Sequence, residues 1–462
     1  MQARSGAAAT GWRHWSYSAL SKGSVRRWNS TTPLQAQKPQ STNVEGADYA
    51  TDSWTNVTPS ILSKLSHKLH TQPAHPLGIL RSLIEAQFPA FNSLASPSPV
   101  VSTYKNFDEL GFPIDHPGRS VTDSYYLNSS TLLRTHTSAH EVDVFKAGHD
   151  KWLLAADVYR RDEIDASHHP VFHQMEGART FALESPSALE ALREENAQLQ
   201  AKLTATNIEI EDNTVIDASN PPQPGHDPVH AELVAQNLKH HLNSLIYALF
   251  SKEAQAKHGL LKPSEAATEE PLKVRWIPAY FPFTSPSYEV EVLYNGKWLE
   301  ILGSGVVQQR TLDLAGVPNR ISWAFGLGLE RIAMVLFSIP DIRLFWSTDP
   351  RFLDQFQAGK ITTFKPYSKY PPCYKDVSFW LAKGYTGFHE NDLCDVVRDA
   401  AGNLVEDVRL IDEFVHPKTE RRSVCYRINY RSMDRSLSNE EVNSIQDEVI
   451  KSLQAKFDIE LR

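Results

Sequence analysis

The chain has 462 residues, 41% of them hydrophobic, enough to bury a core in each of two to four domains. No apolar run approaches the roughly 20 residues of a bilayer-spanning helix, which argues against a membrane protein. A net charge of -8 counts against a general nucleic-acid binder, and three scattered cysteines, Cys373, Cys394 and Cys425, argue against a disulfide framework or a zinc ribbon.

Residues 1–44 carry Arg4, Arg13, Lys22, Arg26, Arg27 and Lys38 among serines and small residues, and the first acid is Glu45. That is the composition of a mitochondrial presequence, with a purposeless tail as the alternative. Residues 1–45 are therefore expected to be a targeting segment and disordered tail, cleaved after Arg27, and the protein to work in the mitochondrial matrix. Ile61, Leu62, Leu65 and Leu69, then Leu77, Leu80, Leu83, Ile84 and Phe88, have the spacing of core-facing helices. From Trp152 to Tyr159, Val274 to Phe281, Tyr288 to Tyr294 and Trp298 to Leu302 the pattern is that of strands, and an antiparallel sheet flanked by helices is expected.

Between 184 and 227 that pattern breaks. Leu189, Leu192, Leu199 and Leu203 recur at heptad-like spacing, with Ser187 and Glu190 as a capping box, predicting one helix. Asn196 at its centre and only about two heptads favour a lone amphipathic helix over a dimerising coil. The polar stretch ending Asn220-Pro-Pro-Gln-Pro-Gly225 reads as a flexible loop, and the whole as an insertion. From residue 367 a separate domain is predicted. It has a strand over Lys375–Leu381, a helix over Glu390–Ala401 stopped by Gly402, and strands over Leu404–Phe414 and Val424–Tyr430. A last helix follows, opened by Ser438-Asn-Glu-Glu441 with Val442, Ile445, Val449, Leu453 and Phe457 inward. This order suits a ferredoxin-like split βαβ fold. Lys418, Arg421, Arg422, Arg427, Arg431 and Arg435, opposed locally by Glu420 and Asp434 alone, make either a basic surface or a solvated strand edge.

Three segments could carry chemistry. A hairpin from Arg160 to Glu176 would return Phe172, Gln174 and Glu176 on one face beside Arg160, a set able to hold a phosphate, a flat base and an ammonium group. A polar outer sheet face explains it equally well; a zinc site from His168, His169 and His173 is a third, weaker option. In Phe325-Gly-Leu-Gly-Leu-Glu-Arg331 the glycines free the backbone for close approach and Arg331 lies near a helix start, suiting a triphosphate or simply tight packing. Phe281-Pro-Phe283 would wall an apolar slot, or belong to the core, and Glu289, Glu291 and Glu300 lie in nearby strands.

Taken together, Leu133-Arg-Thr-His-Thr-Ser138, the Arg160 to Glu176 hairpin, Phe281-Pro-Phe283, and Phe325 to Arg331 followed by Ile339-Pro-Asp-Ile-Arg343 resemble the class II aminoacyl-tRNA synthetases, specifically their phenylalanine branch. The tail, with Lys369-Tyr-Pro-Pro, Phe414-Val-His-Pro-Lys418 and Tyr426-Arg-Ile-Asn-Tyr-Arg431, resembles the ferredoxin-fold anticodon-binding domain of the monomeric mitochondrial form. The resemblance implies an α+β protein with a class II catalytic domain over 46–366 and an anticodon-binding domain over 367–462. It implies phenylalanine, ATP and tRNA(Phe) as partners, Mg²⁺ as cofactor, and transfer to the 2′-hydroxyl of the terminal adenosine. His136 and Ser138 would meet the polar end of the amino acid, Gln174 and Glu176 its ammonium group, and Phe281 and Phe283 its ring, with Ala324 setting the pocket depth. Arg160, Asp162, His168, Phe172 and Arg331 would hold ATP, Arg160 and Arg331 acting in catalysis. Glu300 would take Mg²⁺, and Lys418, Arg427 and Arg431 would meet tRNA. Asp162 stands where the general motif often has Glu.

Overall fold

The computed structural model describes residues 40–216, 220–262, 270–366 and 370–462. The targeting segment expected before residue 40, the motif residue Lys369 and the domain boundary at 367 lie outside them. Regular structure begins ahead of residue 45: β1 (Ser41–Val44) and β2 (Ala47–Ala50) form a hairpin turning on Glu45 and Gly46, both at positive φ. Val44 is buried, so the tail expected up to residue 45 already contributes to the core at its end.

The central sheet has eight strands. Short β3 (Asn92–Leu94) lies parallel to β7 (Lys151–Tyr159) at one edge, after a small three-stranded sheet formed by β4 (Val100–Ser102), β5 (Tyr126–Asn128) and β6 (Thr131–Leu133). Then come β8 (Val171–Phe181), β13 (Ile321–Gly328), β12 (Lys297–Val307), β11 (Thr284–Tyr294) and β10 (Leu272–Phe281), all antiparallel, and β9 (Ile208–Asp212), parallel to β10, at the far edge. The expected antiparallel sheet is thus present, with one parallel strand added at each edge.

One face of this sheet is covered by helices. α1 (Pro76–Glu85) turns Leu77, Leu80 and Ile84 inward, at the spacing seen in the sequence. α2 (Pro186–Thr204) is the helix predicted in the insertion, but its N-cap is Ser185, which accepts from the Ala188 N–H, rather than Ser187. Its partner is α3 (Pro228–Phe250), so it is not a lone amphipathic helix. Asn196 is buried between them, donating to Leu233 O at 2.9 Å and accepting from Asn237 at 2.9 Å, and fixes their register as a buried Asn does in a coiled coil. α3 is the longest helix among the described residues and has no counterpart in the sequence reading, although Asp227-Pro228 caps it and Val234, Leu238, Leu242 and Leu245 recur at helical spacing. Its Asn237 and Asn243 accept the indole N–H groups of Trp323 and Trp276, each at 3.0 Å, tying helix to sheet. α4 (Leu329–Leu336) follows β13 directly.

The polar stretch at 220–225 is not a free loop. Asn220 pairs with the backbone of Ser287 in both directions, at 2.9 and 2.8 Å, and Gln223 donates to Ser285 O and Val307 O and accepts from Gln309 N–H. Both side chains are buried, so polar composition here marks hydrogen-bonded anchoring of a segment lying on β11 and β12.

The remaining strands, β14 (Cys373–Leu381), β15 (Val405–Val415), β16 (Arg422–Tyr430) and β17 (Ile459–Leu461), form an antiparallel sheet in the order β15-β16-β14-β17. With α5 (Glu390–Ala401) and α6 (Asn439–Lys456) packed on its apolar face, this is the split βαβ fold expected. Gly402, at φ 57°, stops α5, and Ser438 caps α6 through the Glu441 N–H. Among the described residues no helix is long and apolar enough to cross a membrane.

Replacing Gln223 by Ala should lower the unfolding free energy by about 2 kcal/mol, because three backbone partners, the Val307 carbonyl among them buried, lose their bonds to a buried side chain. Equilibrium urea unfolding checks this; a midpoint matching the parent would return 220–225 to the status of a free loop.

Candidate active site

Alternation along β8 sends Phe172, Gln174, Glu176 and Ala178 to the face away from α3, and His173, Met175 and Gly177 to the other. The register carries this set across the sheet. Gln174 lies opposite Gly328, Glu176 opposite Gly326 and Ala178 opposite Ala324; Gly326 in turn faces Gly303, and Ala324 faces Gly305. A Cβ built on Gly326 or Gly328 would meet nothing within 4 Å, whereas one on Gly303 would lie 2.7 Å from the Phe281 ring. Three adjacent strands thus make a floor of small residues, with Glu176 on one side and Phe281 standing over the other.

The aromatic wall continues. Phe281 and Phe283 stack at 5.9 Å between centroids, Phe283 lies 6.2 Å from the His136 ring, and His136 stacks on Phe112 at 5.5 Å. Next to His136, the Thr137 N–H donates to Gln174 Oε1 at 3.2 Å, closing the ring of residues back onto β8. His136 bonds the Asn106 carbonyl through Nε2 at 3.0 Å, so that nitrogen carries the proton and Nδ1, which has no protein partner, is an acceptor. Burial, with help from the Arg160 charge, pushes its pKa down to about 3, so the ring is neutral.

Glu176 is buried, and burial raises its pKa from 4.5 to about 7 against the pull of the Thr137 and Ser138 side chains. Glu141, also buried, is raised well above the usual carboxyl range by burial and by the neighbouring Glu176. Like charges in contact do not both ionise, so the pair holds at most one negative charge, gained as Glu176 ionises near pH 7. Each has an Oε2 atom with no hydrogen-bond partner. Unpartnered buried carboxyl oxygens beside an open floor fit a polar ligand that completes their hydrogen bonds.

Arg160 follows β7 and stays on this face. Its Nε donates to Thr135 O at 2.8 Å and its guanidinium lies 5.3 Å from the Phe172 ring, opposite Val158 in the register. Burial lowers its pKa only to about 10, so it remains a cation, supported by Asp162. Across the sheet, Arg331 in the first turn of α4 pairs with Glu300 at 3.4 Å and is 42% exposed, open to an anionic ligand. Glu300 lies opposite Glu291 in the register. Among the described residues no group of three or more His, Cys, Asp or Glu could hold a metal ion, so the zinc option from His168, His169 and His173 fails. A single carboxylate such as Glu300 suits the way Mg²⁺ is held, by one or two carboxylates and the phosphates of a substrate.

His168 is the expected nucleotide contact that stands apart from the rest. It pairs with Asp165 at 2.7 Å, which raises its pKa, and lines a cavity of about 220 Å³ with Lys64, Arg343 and Arg398 beside the C-terminal domain. The expected basic surface around Lys418, Arg427 and Arg431 is largely offset by acids from other strands and helices. Arg427 is held by both oxygens of Asp376 at 2.8 Å, Arg431 by Glu406 at 2.9 Å, Arg422 by Glu413 and Arg435 by Glu441. Lys418 is exposed.

Sequence reasoning missed Glu141, Phe112 and Gly303. Glu141 carried a signal, an acid at helical spacing from Val144 and Phe145 on the apolar side of its turn; Phe112 sits among turn residues and Gly303 inside a strand, where neither spells out a role. Arg134 in the Leu133–Ser138 motif has a structural task. It is fully buried, bonding Asp157, Pro97 O, Ser98 O and His140, and it clamps the 134–140 segment against β7.

Residues 62–194 and 257–356 match the tRNA synthetases class II core domain (F), and residues 368–462 the ferredoxin-fold anticodon binding domain. The chain is 48% identical over 449 residues to a Saccharomyces cerevisiae protein named mitochondrial phenylalanine–tRNA ligase, covering 91% of this chain and 94% of that one. It is 43% identical over 417 residues to the chloroplastic/mitochondrial phenylalanine–tRNA ligase of Arabidopsis thaliana, covering 89% and 83%, and 44% identical over 418 residues to the mitochondrial one of Mus musculus, covering 87% and 85%.

Glu176 has a folded-state pKa above its unfolded one. Its contribution to stability is therefore complete below pH 4.5 and lost as pH rises to about 7. Glu176→Gln should melt higher than the parent at pH 8 without ligand and converge with it at pH 5. A parent that melts as high as the variant at pH 8 would refute the buried charge.

Proposed function

The chain belongs to the class II aminoacyl-tRNA synthetases as a mitochondrial phenylalanine–tRNA ligase, and on that premise we propose how its residues divide the work. The protein is an enzyme that activates phenylalanine with ATP and charges tRNA(Phe) in the mitochondrial matrix. In our reading residues 46–366 activate the amino acid, residues 367–462 engage tRNA, and a single chain is the working unit.

Phenylalanine lies on the floor of Gly326, Gly303 and Ala324, its ring against Phe281 and Phe283. Its ammonium group meets Gln174, Ser138, the His136 acceptor nitrogen and the one negative charge shared by Glu176 and Glu141. The observation that supports this reading best is that a buried carboxyl pair and a stacked aromatic pair stand at opposite sides of one glycine floor.

Arg160 bridges the substrate carboxylate and the α-phosphate, Phe172 stacks on adenine, and Arg331 exchanges Glu300 for the outer phosphates. The carboxylate attacks phosphorus in line and pyrophosphate leaves. The side chains contribute alignment and charge, and none forms a covalent bond. Mg²⁺, when bound at Glu300 with the phosphates, supplies further charge neutralisation. The terminal adenosine 2′-hydroxyl then attacks the carbonyl carbon of the mixed anhydride, giving up its proton and forming the ester as AMP leaves. His168 would have to leave Asp165 to reach a phosphate. Arg427 and Arg431 would exchange Asp376 and Glu406 for tRNA phosphates, joined by Lys418.

ATP–pyrophosphate exchange across the amino acids, with and without tRNA, tests the assignment. Exchange supported by phenylalanine alone, and abolished by Arg160→Ala, is expected; equal exchange with another amino acid would refute it. KM for phenylalanine should fall as pH rises toward 7 and Glu176 ionises, and Glu176→Gln should raise KM and flatten that profile. Ala324→Gly should admit para-substituted phenylalanines, since Ala324 is the only Cβ between Ala178 and Gly305 on its row. Unchanged discrimination in the exchange assay would count against it.

A further inference from the structure

Arg160 and Arg161 are adjacent but serve different partners. Arg160 turns to the site face, whereas Arg161 is buried against the C-terminal domain. Its Nε donates to Asp395 Oδ2 at 2.7 Å and its Nη2 to Asp392 Oδ1 at 2.6 Å, both on α5, while Nη1 reaches Val121 O at 2.6 Å. Asp395 also accepts from Tyr125 OH at 2.8 Å and from Arg398 at 3.3 Å.

The grip continues along the hairpin. Arg398 donates to the backbone oxygens of Asp162 and of Glu163, the latter at 2.8 Å, and the Val408 N–H donates to Ile164 O at 3.1 Å. The Ile164 side chain is buried in the hydrophobic core of the C-terminal domain. Residues 161–164 are therefore each held by the C-terminal domain, and they connect Arg160 directly to the turn that leads back to Phe172.

A hairpin connection of this length is costly to order by itself. A displacement of about 1 Å at a phosphate-binding group is enough to cost roughly a hundredfold in rate.

We propose that Asp392, Asp395 and Arg398 are positioning residues for amino-acid activation, holding the Arg160–Phe172 hairpin in its working geometry from the C-terminal domain. The proposal rests on the reading of Arg160 and Phe172 as nucleotide contacts. The phenylalanine floor is built from strand centres and does not depend on this clamp. Arg160 touches the amino acid only at its carboxylate, whereas Arg160 and Phe172 together hold the α-phosphate and the adenine, so the effect falls mainly on ATP.

The test is pyrophosphate exchange by the full chain carrying Asp392→Asn or Arg398→Lys, with melting temperatures taken in parallel. Asp392→Asn removes one of two carboxylates on Arg161 at a position only partly buried, so the fold is kept. The expected result is a rise in KM for ATP of about tenfold with a fall in kcat that saturating ATP does not restore, and a rise in KM for phenylalanine of no more than about twofold. Ser60→Ala removes a 2.5 Å bond from α5 Asp399 to a residue outside the hairpin and should leave both KM values unchanged. Unchanged KM for ATP in both clamp variants would overturn the proposal. So would equal rises for both substrates that track the melting temperature, or an effect of Ser60→Ala as large as theirs. Arg160→Ala separates the two levels: exchange surviving that change would sink the nucleotide assignment itself, while its loss beside unaffected clamp variants would sink the clamp alone.

Discussion

The site depends on the register of three neighbouring strands. β8, β13 and β12 pair so that Glu176, Gly326 and Gly303 fall in one row and Ala178, Ala324 and Gly305 in the next. Side chains alternate faces with a period of two, so a slip of one residue would bring Met175, Phe325 and Ser304 onto the floor and fill it. The same alternation sends Trp323 and Phe325 to α3, where Asn237 fixes the indole of Trp323. Packing on the helical face therefore enforces the register that keeps the other face open.

Charge follows from burial within that frame. His136 is neutral because it is desolvated and near Arg160, and Glu141 stays protonated because it is buried and Glu176 is close. The pocket can therefore offer an ammonium group the charge that Glu176 gains as it ionises near pH 7, beside the unpartnered Nδ1 of His136. Arg160 lies at one side of the floor and Arg331 at the other, the first braced by a backbone carbonyl and an aromatic ring, the second held by an exchangeable carboxylate. The rigid cation suits the reacting phosphate and the movable one the leaving phosphates.

Polar residues do more structural work than their composition suggests. Asn196, Asn220, Gln223 and Asn237 are buried and bonded, each tying an element of the 184–250 region to the sheet or to another helix. This region, unmatched by the class II family over 195–256, is thus built into the core on its helical side. In the C-terminal domain the arginines of the basic run meet Asp376, Glu406, Glu413 and Glu441, the first two brought in on strands 51 and 25 residues away along the chain.

By itself the sequence determined the alternation along β8, the capped helices α5 and α6, the order of the C-terminal strands, and the family resemblance carried by short motifs. Each depends on residues a few positions apart, whose side-chain directions are dictated by a strand or helix period. The flexible reading of 220–225 and the lone helix at 186–204 failed because the partners that decide them lie 37 to 86 residues away along the chain. The roles of Glu141 and Gly303 stayed hidden for the same reason: one acquires its pKa only beside Glu176, and the other matters only because Phe281 lies over it. Only the tertiary structure decided these points, since burial, charge pairing and the approach of one ring to one glycine arise when distant strands are brought within about 5 Å of one another.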